Sequence, residues 1–102
     1  MTIAEAVFKA KQVLRIDRSN TANDEYIASL CAALPGYIEV ATGMTEAEQE
    51  QEPIVETARA FIITLWYYSD HADDIKLQRT IDALLKAITL KANELHRAGA
   101  AE

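Results

Sequence analysis

Apolar residues recur along the chain with the period of an α-helix, in four separate segments. In the first segment, over residues 3–14, the apolar side chains are spaced by three or four positions and therefore share one face. Thr2 and Glu5, three residues apart at its start, predict a capping box. The polar stretch 17–23 is rich in side chains that hydrogen-bond to nearby backbone, which predicts a loop.

The second helical segment is predicted over residues 22–42, with Asn20 or Thr21 as its N-cap. Gly43 follows directly, at the position where many helices end in a left-handed residue. Pro35 lies in the middle of the segment, where it has no N–H to donate and crowds the carbonyl four residues earlier. We therefore expect this helix to be kinked or broken near Pro35.

Two further helices are predicted after an acidic linker. Residues 44–52 are rich in Glu and Gln and have no apolar period, which predicts a solvated linker with room for one helical turn. The third helix is predicted over residues 53–69, because proline at position 53 suits the first turn of a helix. The fourth is predicted over residues 75–97, and residues 98–102 are expected to fray.

These segments predict an all-α protein: a single domain, residues 1–102, folded as a small bundle of about four helices. Only 3 glycines and 2 prolines are present, too few for the frequent turns of a β-sandwich. The predicted core takes apolar residues from every segment: Val7, Leu14, Ile27, Leu34, Ile38, Phe61, Leu65, Ile81, Leu84 and Ile88.

The net charge of −6 is unevenly distributed along the chain. Residues 1–16 carry +2, residues 17–56 carry −8, and the charges of residues 57–102 balance. Binding to DNA needs Lys and Arg gathered on one face, and this distribution does not predict such a face. No apolar run approaches the roughly 18–20 residues of a membrane span, and the first residues are not typical of a secretory signal.

Few residues are candidates for catalysis, metal binding or ligand binding. The polar cluster at residues 70–74 contains the residue types that bind metals, but its spacing fits neither a calcium loop nor a paired-histidine site, so we expect helix capping and solvent contact. Cys31 lies among apolar neighbours, which favours a buried structural thiol over a nucleophile. The run Trp66-Tyr67-Tyr68 favours core packing, with subunit contact as the alternative. We expect no catalytic residue, cofactor or metal.

Three motifs follow one another along the chain. Leu14-Arg15-Ile16-Asp17 ends the first segment, Tyr37 to Gly43 closes the second with Thr-Gly, and Trp66-Tyr67-Tyr68 ends the third. Over about residues 3–70 this order resembles the head–tail connector family of tailed bacteriophages, whose members are also described as DNA-packaging proteins. A looser match lies near residues 82–85.

The resemblance implies a small, all-helical, non-catalytic phage or prophage protein. Such a protein self-associates as a homo-oligomeric ring at the portal vertex, completes the head after DNA packaging and joins it to the tail. Its partners would be further copies of itself, the portal protein, and the tail or the next adaptor. DNA would pass through the ring without specific binding. Assembly would take place in the bacterial host cytoplasm, and the protein would end in the virion neck.

A ring interface is heterologous, so one face of each subunit meets a different face of the next. The +2 first segment and the −8 middle segment form one complementary pair, and the C-terminal part of the fourth helix is a further candidate. The candidate subunit or partner contacts are Lys9, Lys11, Arg15, Glu46, Glu48, Glu50, Glu52, Lys91 and Arg97.

Two alternative functions remain open. The first is a small acidic helical regulator, such as an antitoxin or inhibitor, which binds one cellular protein through a basic surface on that partner. The second is an enzyme that uses the cluster at residues 70–74 with a metal ion.

Overall fold

The computed structural model describes residues 2–68 and 75–100, with side chains up to residue 97. Within these residues the chain forms five helices and no strand, which confirms the all-α prediction. The helices are α1 (Ile3–Leu14), α2 (Asp24–Thr42), α3 (Glu46–Gln49), α4 (Pro53–Tyr67) and α5 (Ile75–Ala100). The helix beyond the expected four is α3, a single turn inside the acidic segment. The last helix continues to Ala100, three residues past its predicted end.

Helix α1 has the bounds that its apolar period predicts. At its start, Thr2 Oγ1 accepts a hydrogen bond from the backbone N–H of Glu5 at 3.2 Å, as expected of an N-cap. At its end, Arg15 adopts the left-handed conformation with φ 59°, and its N–H donates to the carbonyl of Gln12. This conformation is uncommon for a residue other than glycine, and it turns the chain out of the helix.

Helix α2 differs from the prediction at two positions. It begins at Asp24 after Asn23, whereas Asn20, one of the two predicted N-caps, accepts a hydrogen bond from the N–H of Ala22 in the preceding loop. The helix is not broken at Pro35, because it runs unbroken through that residue, and the alternative of a kink stays a prediction. Proline in a helix interior costs about 3 kcal/mol, which is small beside the burial of the apolar side chains along this helix.

The C-terminal end of α2 follows the prediction. Gly43 has φ 82°, in the left-handed region, and donates its N–H to the carbonyl of Glu39 at 2.7 Å. Glycine is favoured there because it has no Cβ to strain the backbone.

Helices α2 and α4 form the centre of the bundle. Both α1 and α5 pack on this pair, whereas α1 and α5 make no substantial contact with each other within the described residues. A helix can contact both members of a packed pair only by lying along one of the two grooves between them. Helices α1 and α5 therefore lie on opposite sides of the α2–α4 pair.

The buried core agrees with most of the predicted positions. Six predicted residues are buried, and Val7, Leu65 and Leu84 are partly buried. Phe61 is wrong as a core residue because it is 37% exposed. The buried stripe of α4 passes through Ile62 and Ile63. Each step of one residue along an α-helix rotates the side-chain direction by about 100°, so Phe61 lies off this stripe. The buried apolar residues are Ala10, Leu14, Ile27, Cys31, Leu34, Ile38, Met44, Val55, Ala58, Ile62, Ile63, Ile81, Ile88 and Ala92.

Candidate functional site

The acidic segment, residues 44–52, is folded onto the bundle. Met44 is completely buried, and Gln49 is only 2% exposed. The Gln49 amide donates to the carbonyl oxygens of Pro35 and Met44, each at 3.0 Å. Its Oε1 accepts from Nη2 of Arg59 at 2.9 Å. A buried amide with satisfied hydrogen bonds fixes its surroundings, so Gln49 joins α3 to α2 and α4.

Glu48, a predicted contact residue, takes part in contacts within the chain. Its N–H donates to Oγ1 of Thr45 at 3.3 Å, and its Oε1 accepts from the Thr45 N–H at 2.9 Å, which together form a capping box. Nε2 of His96, on α5, lies 3.1 Å from the same oxygen. The hydrogen bond from the Thr45 N–H, followed by that with His96, lowers the pKa of Glu48 below its usual value.

The predicted basic contacts of the first segment are partly neutralised inside the chain. Lys11 is buried, and its Nζ lies 3.0 Å from Oδ1 of Asp24. Lys9 is exposed and lies 3.9 Å from Glu56. Among the described residues, Arg15 is therefore the predicted contact of this segment that is exposed and lacks an ion pair. Lys11 is buried in the chain and is not part of its exposed surface.

Three glutamates lie close to one another at the α1 side of the bundle. Oε1 of Glu50 and Oε1 of Glu56 lie 3.9 Å and 4.0 Å from Nη1 of Arg59, whose side chain is only 14% exposed. Glu46 is exposed and has no ion pair among the described residues. Glu52 is partly buried at the start of α4 and does not join this group.

A groove of about 330 Å³, here called the α1 groove, runs between α1 and the α2–α4 pair. Glu46, Glu50 and Glu56 line it together with Lys9 and Arg59. Small and aliphatic side chains form the rest of its lining, which gives an apolar floor with a charged, mainly acidic border. These apolar residues are Ile3, Ala6, Ala10, Val13, Cys31, Ala32, Leu34, Pro35, Ala60 and Ile63.

Cys31 is a free thiol on the floor of this groove. It is 8% exposed, and burial raises the pKa of its thiol above the usual value. The thiolate is the reactive form, so this position suits the structural role that the sequence predicts.

The aromatic run at the end of α4 packs against α2. The rings of Trp66 and Tyr37 lie 5.3 Å apart edge to face, and those of Tyr67 and Tyr26 lie 6.0 Å apart. Nδ2 of Asn23 donates to the hydroxyl of Tyr67 at 2.8 Å. These contacts hold the end of α4 on the start and middle of α2, as the packing interpretation expects.

The side of α5 that points away from the bundle carries an unpartnered stripe. Leu90 and Ile75 are 63% and 62% exposed. The stripe, here called the outer face of α5, lies opposite the buried positions Ile81 and Ile88 because its members are spaced by three and four residues. Its members, all exposed, are Ile75, Arg79, Ala83, Lys86, Leu90, Asn93 and Arg97.

Of the predicted contact residues of α5, Arg97 belongs to this face, whereas Lys91 is exposed but lies outside it. The missed signal is the spacing of Arg79, Lys86 and Leu90 on the side opposite the apolar stripe of the helix. No ion pair within the chain involves the lysines and arginines of α5, among the residues that the structure describes.

Comparison with known proteins gives no match: no protein family, no curated protein and no solved structure matches the chain. None of the helices within residues 2–68 and 75–100 has the length and hydropathy needed to cross a bilayer. In the same residues, no three His, Cys, Asp or Glu side chains gather as a metal site. The cluster at residues 70–74 lies outside the described residues, so its interpretation stays a prediction.

Proposed function

We propose that the protein is a phage or prophage head–tail connector. It self-associates as a ring at the portal vertex, completes the head and joins it to the tail, with the portal and the tail or next adaptor as partners. It acts through shape and contact and catalyses no reaction. After assembly in the host cytoplasm it lies in the virion neck, and DNA passes through the ring.

The observation that carries the proposal is where the three motifs fall in the fold. Leu14-Arg15-Ile16-Asp17 closes α1, with Arg15 in the left-handed conformation. The stretch that ends in Thr42-Gly43 closes α2 in the same way, and Trp66-Tyr67-Tyr68 closes α4. Each motif is thus the C-terminal end of a helix, in the order that the resemblance requires.

Exposed apolar side chains on opposite sides of the bundle favour self-association. Ile3 and Val13 on α1 are 48% and 43% exposed, and Leu90 on α5 is 63% exposed. Exposed apolar side chains that cluster commonly mark contact surfaces. Two different contact surfaces on one subunit are what a heterologous ring interface needs.

The charge distribution also suits a channel wall. Residues 24–52 carry seven acidic and no basic side chains, and Glu25 and Glu39 are exposed outside the α1 groove. Exposed carboxylates repel the phosphates of passing DNA. Such carboxylates on a channel wall would let DNA pass without retaining it.

Sequencing the DNA that flanks this reading frame tests the proposal. We expect portal and major capsid genes on one side and tail genes on the other. A toxin gene or ordinary cellular genes on both sides would contradict the proposal and favour the acidic regulator.

A further inference from the structure

We infer that the outer face of α5 of one copy docks into the α1 groove of a second copy, with Leu90 as its apolar anchor. The inference rests on the proposed function, since a ring requires a contact between copies, and it names the two surfaces that meet. The occupant of the groove is thus another molecule of this protein.

The two surfaces match in length and in their arrangement of apolar and charged side chains. The groove follows α1 from Thr2 to Val13, and the same number of residues separates Lys86 from Arg97 on α5. Each stretch is about 16 Å long at the rise of an α-helix. Leu90 lies between the two cations and would enter the apolar floor of the groove. A central apolar anchor surrounded by polar groups is the usual arrangement of a protein interface.

Charge complementarity supports the same pairing. Residues 75–97 carry five basic and two acidic side chains, although the chain as a whole has a net charge of −6. The groove has three glutamates against Lys9 and Arg59, and both of these cations already lie near acids of the same chain. Glu46, which has no ion pair within the described residues, can meet an incoming lysine. The cations of α5 and the surplus carboxylate of the groove are complementary.

The positions of the two surfaces make the contact heterologous. The groove is on the α1 side of the α2–α4 pair, and α5 lies on the other side. A copy that docks its α5 therefore leaves its own groove free for the next copy. Such a contact closes into a ring if the rotation between copies allows it.

The same geometry corrects the pairing expected from the charge blocks of the sequence. Lys11 and Lys9 face Asp24 and Glu56 of their own chain, so the first segment offers little free positive charge. The basic member of the pair is α5, because its lysines and arginines have no ion pair among the described residues.

A charge swap tests the contact. The full-length Glu46→Lys and Lys86→Glu variants are each purified, and their masses are measured by sedimentation velocity up to about 1 mM protein at low and at high salt. We expect the wild type to self-associate at low salt and less at high salt. Each variant alone should associate about tenfold more weakly or worse. An equimolar mixture should recover association, because contacts between the two variants then pair opposite charges.

Leu90→Asp and Val40→Asp form a matched pair of controls. Val40 is 90% exposed on α2, outside both proposed surfaces. We expect Leu90→Asp to weaken association about tenfold or more, as loss of an interface anchor does, and Val40→Asp to leave it unchanged. Circular dichroism melting of each variant shows whether it is folded. Equal effects of the two substitutions would overturn the assignment of Leu90.

Other results would separate this contact from the proposed function. A wild type that stays monomeric at about 1 mM in low salt overturns the contact, whatever genes flank the reading frame. So does a Lys86→Glu variant that loses only binding to DNA or to anionic vesicles and associates normally. Association through these surfaces, together with cellular flanking genes, would uphold the contact and reject the connector function.

Discussion

Replacing Gln49 with alanine should destabilise the protein far more than its place in an acidic surface segment suggests. The substitution removes three hydrogen bonds of a side chain that is 2% exposed. The carbonyls of Pro35 and Met44 lose a donor, and Arg59 loses an acceptor. A buried polar group left without a partner costs about 1–3 kcal/mol, but Pro35 and Arg59 are only partly buried, so we expect about 2–4 kcal/mol in total.

This loss of unfolding free energy should produce a large decrease of Tm in a thermal melt. For a domain of this size, 1 kcal/mol shifts Tm by about 4–8 °C, so a loss of about 2–4 kcal/mol should make the Gln49→Ala variant melt roughly 8–32 °C below the wild type. Circular dichroism follows the helices during heating, and urea titration gives the free energy of unfolding independently.

Gln51→Ala is the matched control. Gln51 is exposed two residues away, so its replacement should change the free energy of unfolding by less than about 0.5 kcal/mol. If the two variants melted together, Gln49 would not join α3 to the bundle. The acidic segment would then be the solvated linker that its composition predicts.

Three further predictions follow from charged and titratable groups. Lys11→Met should lower the free energy of unfolding by about 1–3 kcal/mol in urea, because it removes the buried partner of Asp24. The stabilisation by Glu48 should be complete above its usual pKa of 4.5 and should be lost as the pH falls through its lower folded-state pKa. Urea midpoints of the wild type and Glu48→Gln should therefore converge on acidification. Cys31 should react with a thiol reagent at neutral pH much more slowly in the folded than in the urea-unfolded protein, because its thiol is buried and its pKa is raised.

Each of these predictions has a result that would contradict it. Lys9→Met, which alters an exposed pair, should have an effect below about 1 kcal/mol, and an equal effect of the two lysine substitutions would show that burial of Lys11 does not matter. A constant difference between the wild type and Glu48→Gln at every pH would show that folding does not lower the pKa of Glu48. Equal labelling rates of folded and unfolded protein would place Cys31 in contact with solvent.

Local signals predicted much of the fold. The bounds of α1 follow from its apolar period and from Thr2, and the end of α2 follows from Gly43. Pro53 correctly marks the start of α4. These features depend on side chains within a turn or two of each other, so the sequence contains all the information they need.

Contacts between distant residues were not predictable in this way. Pro35, taken with its neighbours in sequence alone, predicts a kink or a break, yet helix α2 is continuous through it within the packed bundle. Met44 and Gln49 sit in an acidic stretch without an apolar period, and their burial depends on α2 and α4 lying beside them. Lysine is usually a surface residue, and only the fold brings Asp24 close enough to pair with Lys11 in its buried position.

The candidate contact surface also combines features that local sequence predicts with features that depend on contacts between distant residues. Lys91 and Arg97 were found because they lie near the end of a basic helix. The outer face of α5 emerges only when the opposite face is known to be buried against α2 and α4. The α1 groove combines residues from four helices, and no local pattern in the sequence brings these residues together.

We propose that this protein joins phage heads to tails. The most direct measurement removes its reading frame from the phage or prophage that encodes it and examines the lysate by electron microscopy. We expect heads that have packaged DNA and complete tails that stay unjoined, with tailed particles restored when the gene is supplied in trans. Tailed, infectious particles in wild-type numbers without the gene would contradict it.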